Sequence, residues 1–486
     1  MQTLIDYYSA FINNSQELVT VVKASSTHHM RNLLLLLVAF PFSIYAQKID
    51  TTPTNLASGA PAYLANHPLL DEGSLLREYD VRFAQAMLNK PVLLPWKATD
   101  KAEIVATVKQ ALAFKEEWVP EIVTKVSGST KNELFTVQSL QVSSWKNCAG
   151  AAHLYLPKEA KPGAKLPVTL LACGHGDGGK LYPSYRLMAE NLASNGIAVL
   201  VPDNIGQGER TAMGHWNPVG VFGSGLTMQG LIVLETVGWL NWIHQQKQFD
   251  TARIAVCGNS GGGTLGLFLS AVASDKFSLL VSTGYPSSFE SIAKKVKTHC
   301  RCNLIPGIVG KVEMWQVLGC FAPKPTFLAQ GKYDEFFAVD IFHENALRLG
   351  EVYSQLKHPE NLKAEVFEGL HGWDEGRIKN ITNYVCNTFG LPFNSSLVID
   401  AKRNVPAASC YAVWPKQALN ADEVASAISG KKTEAKSLWE VFRPQPASVE
   451  WLNHDHPTPR GDLRDVFAQF ELFLGAPANN NAKVAK

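Results

Sequence analysis

The chain has 486 residues, which is enough for two or three domains or for one large domain with extensions. Hydrophobic residues make up 46% and charged residues 18%, a balance that excludes disordered, collagenous and coiled-coil chains. The net charge of +2 comes without a basic stripe interleaved with aromatic residues, so the sequence predicts no nucleic-acid partner and fits a neutral substrate.

The first part of the chain indicates export. A short basic stretch at 30–32 precedes an apolar run that ends at Ala46, a pattern typical of a signal peptide over 30–46. The run is shorter than the roughly 20 residues of a membrane span, and Pro41 interrupts it, so we expect no stable span after cleavage. The predicted location is secreted or periplasmic. Because a signal peptide normally begins the chain, Met30 is the expected true start, with 1–29 as a non-native or leader extension.

Two extensions flank the predicted central domain. The first, over 47–130, reads as mostly helical, and the second covers 394–486. In the second, helices are predicted at 422–428 and 462–474, but its role is left open.

Between 131 and 393, short apolar runs alternate with helical stretches. Continuous apolar strands between helices are typical of a parallel sheet covered on both faces, so we predict an α/β catalytic domain with a mostly parallel central sheet. The predicted strands are 168–172, 196–201, 254–256, 279–282, 326–329 and 364–367, and the predicted helices are 185–194, 226–245 and 262–273. In such sheets, ligands bind beyond the carboxyl ends of the strands.

The most specific motif follows the strand 254–256. The sequence reads Gly258-Asn259-Ser260-Gly261-Gly262 and continues directly into a helix. Small flanking residues permit the sharp strand-turn-helix in which a serine hydroxyl projects above the sheet. Because that hydroxyl attacks poorly without a base, the motif requires a histidine and an acid. Ser260 is the predicted nucleophile.

The acid and the base are predicted at the ends of later strands. Asp334 follows the strand 326–329, with Glu335 as its competitor, and His371 follows the strand 364–367 on a glycine-flanked loop. The resulting order of Ser, Asp and His is that of a known hydrolase triad. His454 and His456 are less favoured as the base because no apolar strand leads to them, and a lone H-x-H lacks further metal ligands.

The oxyanion would require two backbone N–H donors. One is predicted at Gly261, and the other at Asp177 or Gly176 in the glycine-rich loop 173–180. His175, in the same loop, is expected to shape the loop rather than perform chemistry.

The loop after the strand 196–201 also carries charged residues. Asp203 and Arg210 in this loop are expected to brace the structure above the sheet. They are assigned no catalytic part.

The cysteines indicate neither a disulfide scaffold nor a metal site. Eight are too sparse for the former, and their spacing matches no zinc pattern. Cys173 and Cys257 lie in apolar runs and are expected to be buried. Cys300, Cys302 and Cys320 lie in a loop-like stretch that could hold one disulfide.

Several stretches carry a family resemblance. They are Gly-His-Gly-Asp-Gly-Gly at 174–179, Asp-Asn-Ile-Gly-Gln-Gly-Glu-Arg at 203–210, the Ser260 motif, Gly-Lys-Tyr-Asp at 331–334, Leu-His-Gly at 370–372 and His-Cys-Arg-Cys-Asn-Leu-Ile-Pro-Gly at 299–307. Together they resemble the α/β-hydrolase superfamily, and more narrowly its secreted bacterial branch related to acetyl xylan esterases and dienelactone hydrolases. The resemblance covers roughly 134–390. Asn259 departs from the usual motif of those esterases, and the extensions match no family.

The resemblance implies an α/β-hydrolase fold and a serine esterase whose nucleophile, acid and base are Ser260, Asp334 and His371. Its substrate would be a small ester or an acetylated, xylan-like polysaccharide, and no cofactor would be required. Glucuronoyl esterases carry a basic residue after the nucleophile, whereas Gly261 and Gly262 are uncharged. The oligomeric state is not predicted.

The predicted substrate pocket is lined by aromatic residues. Trp216, Tyr285 and Trp373, with the loop 285–323, are expected to form its acyl and alcohol sides. Two alternatives stay open at this point. One is a serine peptidase of the oligopeptidase kind, although too few residues precede 134 for its propeller, and the other is a non-catalytic binding protein.

Overall fold

The computed structural model describes residues 97–158, 163–176, 178–294, 300–397, 408–436, 438–441 and 472–473. The predicted signal peptide, the leader and the extension up to residue 96 lie outside these ranges, as do His454, His456 and most of the helix predicted at 462–474. Asp177 is also outside the described residues.

The described strands form one nine-stranded sheet in the order β1-β2-β3-β5-β4-β6-β7-β8-β9. Strands β1 to β3 and the β3–β5 pair are antiparallel, whereas all pairs from β5 through β4 to β9 are parallel. The strands are β1 Val123–Lys131, β2 Phe135–Ser143, β3 Ala149–Pro157, β4 Leu166–Ala172, β5 Ala198–Pro202, β6 Phe249–Asn259, β7 Leu279–Thr283, β8 Thr326–Gly331 and β9 Leu362–Phe367. The predicted mostly parallel sheet is confirmed.

Helices cover both faces of this sheet. In the described ranges they are α1 Ala98–Leu112, α2 Pro183–Ser194, α3 Val219–Gly223, α4 Met228–Gln245, α5 Gly261–Val272, α6 Phe289–Lys294, α7 Met314–Gly319, α8 Val339–Gln355, α9 Glu375–Thr388, α10 Ala421–Ser429 and α11 Leu438–Val441. None of them has the length and apolar character of a membrane span.

Alternation along the central strands produces two apolar cores. Leu170 of β4 packs with the core that includes α4 and α5, whereas its neighbour Leu171 packs with the core that includes α2 and α9. Successive side chains of a strand point to opposite faces, so an uninterrupted apolar run supplies both cores at once. This explains why the central strands could be predicted from uninterrupted apolar runs in the sequence.

The sheet begins before the predicted start of the catalytic domain at 131. Strand β1 lies in the segment predicted as a mostly helical extension, of which α1 is the helical part. The side chains of β1 are largely exposed and include lysines, serines and threonines, so it lacks the apolar run of a central strand. Strands at an edge of a sheet are harder to recognise for this reason.

Part of the C-terminal extension packs against the antiparallel strands. The carbonyl of Ala408 accepts hydrogen bonds from Ser139 Oγ of β2 (3.2 Å) and from His153 Nε2 of β3 (2.9 Å). Gln141 Nε2 donates to the carbonyl of Cys410 (2.9 Å). The extension is therefore joined to the sheet by specific polar contacts.

Candidate active site

Ser260 lies at a strained turn between β6 and α5. Its backbone angles are φ 58° and ψ −121°, a conformation that non-glycine residues rarely adopt and that costs on the order of 1–3 kcal/mol. A Cβ atom at Gly262 would lie 2.0 Å from the carbonyl oxygen of Ala172, and one at Gly258 would lie 2.4 Å from the backbone of Gly262. The small residues of the motif are therefore required by the close approach of the chain, as the sequence predicted.

Asp334 and His371 are hydrogen-bonded. Asp334 Oδ2 lies 2.7 Å from His371 Nδ1, and its Oδ1 accepts the backbone N–H groups of Phe336 and Phe337 at 2.9 Å each. The carboxylate side chain is fully buried, whereas the imidazole is 13% exposed. Glu335, the competing acid, instead accepts the backbone N–H of His371 (3.0 Å). Asp334 therefore orients the ring, and Glu335 holds the backbone.

The imidazole of His371 lies beside the nucleophile turn. A Cβ atom at Gly284 would be 3.0 Å from His371 Cε1 and 2.7 Å from Oδ1 of Asn259, the residue before Ser260. Ser260 and His371 line the same cavity, whose volume is about 310 Å³. Three chain segments that are far apart in sequence thus meet at the carboxyl ends of β6, β8 and β9.

Six of the sixteen described residues that line the cavity are tyrosine, tryptophan or phenylalanine. The predicted pocket residues Trp216 and Tyr285 line it, and Trp216 is 66% exposed. Trp373 is not among the lining residues, because it is buried and its indole N–H donates to Thr283 Oγ1 (2.8 Å). Among the described lining residues there is no lysine or arginine.

The glycine-rich loop after β4 contacts the nucleophile turn through Gly174 and His175. A Cβ atom at Gly174 would be 2.9 Å from Ser260 Cβ, and one at Gly261 would be 2.9 Å from His175 Nδ1. The Cα of Gly176 faces the ring of Tyr182 instead. Gly261 begins α5, so its N–H belongs to the first turn of a helix, whose amides lack intrahelical partners. The predicted donors Gly261 and Gly176 stay candidates.

The predicted bracing role of Asp203 and Arg210 is confirmed. Lys180 Nζ forms a buried ion pair with Asp203 Oδ2 (2.6 Å), and Arg210 Nη1 donates to the carbonyl of Asp203 (3.1 Å). Arg210 also pairs with both carboxylate oxygens of Glu235 at 2.6 and 3.0 Å. Glu209 accepts the backbone N–H groups of Cys410 and Tyr411, which links this loop to the C-terminal extension.

One side-chain group at the cavity was missed by sequence reasoning. His175, His215, Cys300 and Cys302 each direct one nitrogen or sulfur atom into a space in which these atoms lie within 4.8 Å of one another. Burial alone would raise the pKa of the Cys300 thiol, but hydrogen bonds from Cys302, His175 and His215 outweigh burial and lower the pKa well below its usual value. All eight cysteines are buried free thiols, so no disulfide joins Cys300, Cys302 or Cys320. The Cys-x-Cys motif at 300–302 is the part of this group that the sequence could have indicated, but its partners His175 and His215 are distant in sequence.

Comparisons with known proteins agree with this architecture. Residues 169–298 match the family described as alpha/beta hydrolase fold. The chain is similar in structure to the methylesterase BT1017, with a TM-score of 0.53 and 17% identity over 76% of this chain and 77% of that one. The chain has the α/β-hydrolase fold. No curated protein sequence matches it.

Two further solved structures align with lower scores. A proposed acetyl xylan esterase from Bacteroides fragilis aligns at 16% identity over 60% of this chain and 82% of that one, with a TM-score of 0.49. A glucuronoyl esterase from Solibacter usitatus aligns at 14% identity over 61% and 93%, with a TM-score of 0.47.

Proposed function

We propose that this protein is a serine carboxylic-ester hydrolase that acts through an acyl-enzyme. The observation that carries the proposal is a strained serine whose cavity also holds an imidazole bound to a buried carboxylate. A serine hydroxyl, a base and a group that orients the base are the three parts required for nucleophilic catalysis.

In the first step, His371 Nε2 takes the proton of the Ser260 hydroxyl as the oxygen attacks the ester carbonyl. Asp334 favours the tautomer with a proton on Nδ1, so that Nε2 is free to accept. The Gly261 N–H, with Gly176 or Asp177 as the second donor, stabilises the oxyanion. The imidazolium then protonates the leaving alcohol, and water releases the acid by the same sequence of proton transfers.

The proposed substrate is a neutral carbohydrate ester with a short acyl group. A cavity with six aromatic side chains and no lysine or arginine among its described residues suits an uncharged sugar ring, and these residues offer no Lys or Arg cation for the carboxylate of a uronic acid. The sequence resemblance to acetyl xylan esterases favours an acetyl group. A polysaccharide substrate is consistent with the export that the N-terminal sequence predicts.

Active-site labelling provides the test. We expect a fluorophosphonate probe to label the full chain at Ser260, and Ser260→Ala to abolish both the labelling and the hydrolysis of aryl acetates. The matched control is Ser184→Ala, because Ser184 lines the same cavity but is not on the turn. Cleavage of peptides but not of esters would instead favour a peptidase, and labelling that persists in Ser260→Ala would refute the assignment.

The natural substrate requires a separate screen. Acetate release from acetylated xylan, compared with methanol release from methyl-esterified pectin, distinguishes an acetyl ester from a uronate methyl ester. We expect acetate release, lost in Ser260→Ala and kept in Ser184→Ala.

A further inference from the structure

The group formed by His175, His215, Cys300 and Cys302, hereafter the His-Cys cluster, has the composition of a metal centre. Its members come from three separate loops: one after β4, one before α3 and one between α6 and α7. Each offers one nitrogen or sulfur, and these four atoms lie within 4.8 Å of one another. We propose that the His-Cys cluster is a tetrahedral site for zinc beside the proposed nucleophile.

The spacing of the donor atoms fits tetrahedral coordination. With metal bonds of about 2.3 Å to sulfur and 2.0–2.1 Å to nitrogen, a tetrahedral site separates two nitrogens by about 3.3 Å, and a nitrogen from a sulfur by about 3.6 Å. The observed distances are 3.0 Å between the Nε2 atoms of His175 and His215, and 3.3 Å between His175 Nε2 and Cys302 Sγ. Both distances are within about 0.3 Å of the tetrahedral values, and all four donor atoms lie within 4.8 Å of one another.

The orientation of His215 is that of a metal ligand. Its Nδ1 lies 2.8 Å from the carbonyl oxygen of Ile205, which can only accept a hydrogen bond, so the proton of the neutral ring is on Nδ1. The unprotonated Nε2 then presents its lone pair to the cluster. A metal-bound histidine usually donates its other ring N–H to a carboxylate, a water or, as here, a backbone carbonyl, which sets the tautomer.

Charge and burial also favour a metal. His215, Cys300 and Cys302 are buried, and His175 is half-buried. Binding of one zinc ion would displace two protons from the four ligands to water, leaving a centre of two thiolates, two neutral imidazoles and one dication with no net charge. Such a centre can be buried without an uncompensated charge, and soft thiolates with imidazoles are the ligands that zinc prefers.

Four protein ligands would fill the coordination sphere, so the role of the metal would be structural rather than that of a Lewis acid. It would tie the loop after β4 to the Cys300–Cys302 turn. The bound His175 ring contacts Gly261, and Asn303, which follows Cys302, lines the cavity and binds the Tyr285 hydroxyl (3.0 Å). This positioning effect, unlike the metal site itself, rests on the proposed function.

The direct test is the metal content of the full chain. Reduced protein is incubated with zinc, exchanged into metal-free buffer and assayed by mass spectrometry of the metal and by free-thiol titration. We expect one zinc per chain and two fewer reactive thiols. The double variant Cys300→Ser/Cys302→Ser should lose the zinc, with a rise in Kd of more than about 100-fold.

Cys320→Ser is the matched control, because Cys320 is also buried and its Sγ contacts the carbonyl of Gln316, to which serine can donate. It should retain one zinc. A readout without any variant is Co²⁺ added to the reduced wild-type protein, for which we expect the absorption of a tetrahedral thiolate site.

Failure of the reduced wild-type chain to take up either ion would overturn the proposal, and so would equal zinc binding by the folded double variant. A Cys300–Cys302 disulfide that persists under reduction would also count against it. These readouts do not depend on turnover, so an inactive protein with one zinc would refute the esterase and leave the metal site in place.

Discussion

Replacement of Asp334 by asparagine tests the proposed triad at a single atom. Oδ1 accepts two backbone N–H groups, from Phe336 and Phe337, so the amide oxygen of an asparagine must occupy this position. Its NH₂ group is then directed at His371 Nδ1 in place of Oδ2, at a separation near 2.7 Å. An NH₂ group can only donate, so Nδ1 must become the acceptor and the ring proton must move to Nε2.

With its proton on Nε2, His371 cannot accept the Ser260 proton. A tautomer shift of this kind costs about 10⁴-fold in kcat, which corresponds to about 5.5 kcal/mol of barrier. Because both backbone hydrogen bonds are kept, we expect the free energy of unfolding of Asp334→Asn to change by less than about 1 kcal/mol. Aryl acetate hydrolysis and urea unfolding measure the two quantities on the same preparation.

Glu335→Gln provides the matched control, because Glu335 binds the backbone N–H of His371 and not its ring. It should keep activity within about tenfold of the wild type, since a glutamine oxygen can accept the same hydrogen bond. Our reasoning would be refuted if Asp334→Asn were nearly as active as the wild type. The reverse pattern, with Glu335→Gln inactive, would transfer the acid role to Glu335.

Three further variants test other parts of the structure. In Gly261→Ala the new Cβ would lie 2.9 Å from His175 Nδ1, so the turn must shift and carry the Gly261 N–H, the proposed oxyanion donor, out of position. We therefore expect kcat to fall by about 10²–10³-fold in a folded protein, and an unchanged kcat would contradict this packing. In Glu235→Gln, Arg210 would remain as a buried charge without its anion, so urea unfolding should show a loss of about 3–5 kcal/mol, and a loss below 1 kcal/mol would contradict it. Burial holds the pKa of His153 at about 4, below the ordinary 6.5. As the pH falls, the unfolded chain therefore binds a proton at this histidine before the folded chain does. The free energy of unfolding should decrease between pH 6.5 and 4, by at most about 3 kcal/mol. His153→Gln should flatten this part of the pH–stability curve, and an equally steep curve would exclude His153 as its source.

The central strands and the nucleophile turn could be predicted from local sequence. A strand buried on both faces must be apolar throughout, and a turn as tight as that at Ser260 excludes side chains at Gly258 and Gly262. These constraints act on neighbouring residues, so they leave a readable pattern. Strand β1 lacks such a pattern, because its exposed side chains place few demands on the sequence.

The pairing of distant groups depended on tertiary structure. Asp334 and Glu335 are adjacent residues that both carry a carboxylate, so the sequence alone does not show which one binds the imidazole. The path of the loop directs Asp334 to the ring of His371 and Glu335 to its backbone N–H. Trp373 was expected in the pocket, but its side chain is buried and its indole N–H donates to Thr283 Oγ1.

The His-Cys cluster shows the same limit most clearly. Zinc patterns in sequence rely on ligands a few residues apart, whereas His175, His215 and the Cys300–Cys302 pair are brought together by three loops at one end of the sheet. Short stretches of the sequence determine the chemistry of the residues and the local geometry of the chain. Which of those stretches meet is decided by the order of strands in the sheet, because that order sets which loops share an edge.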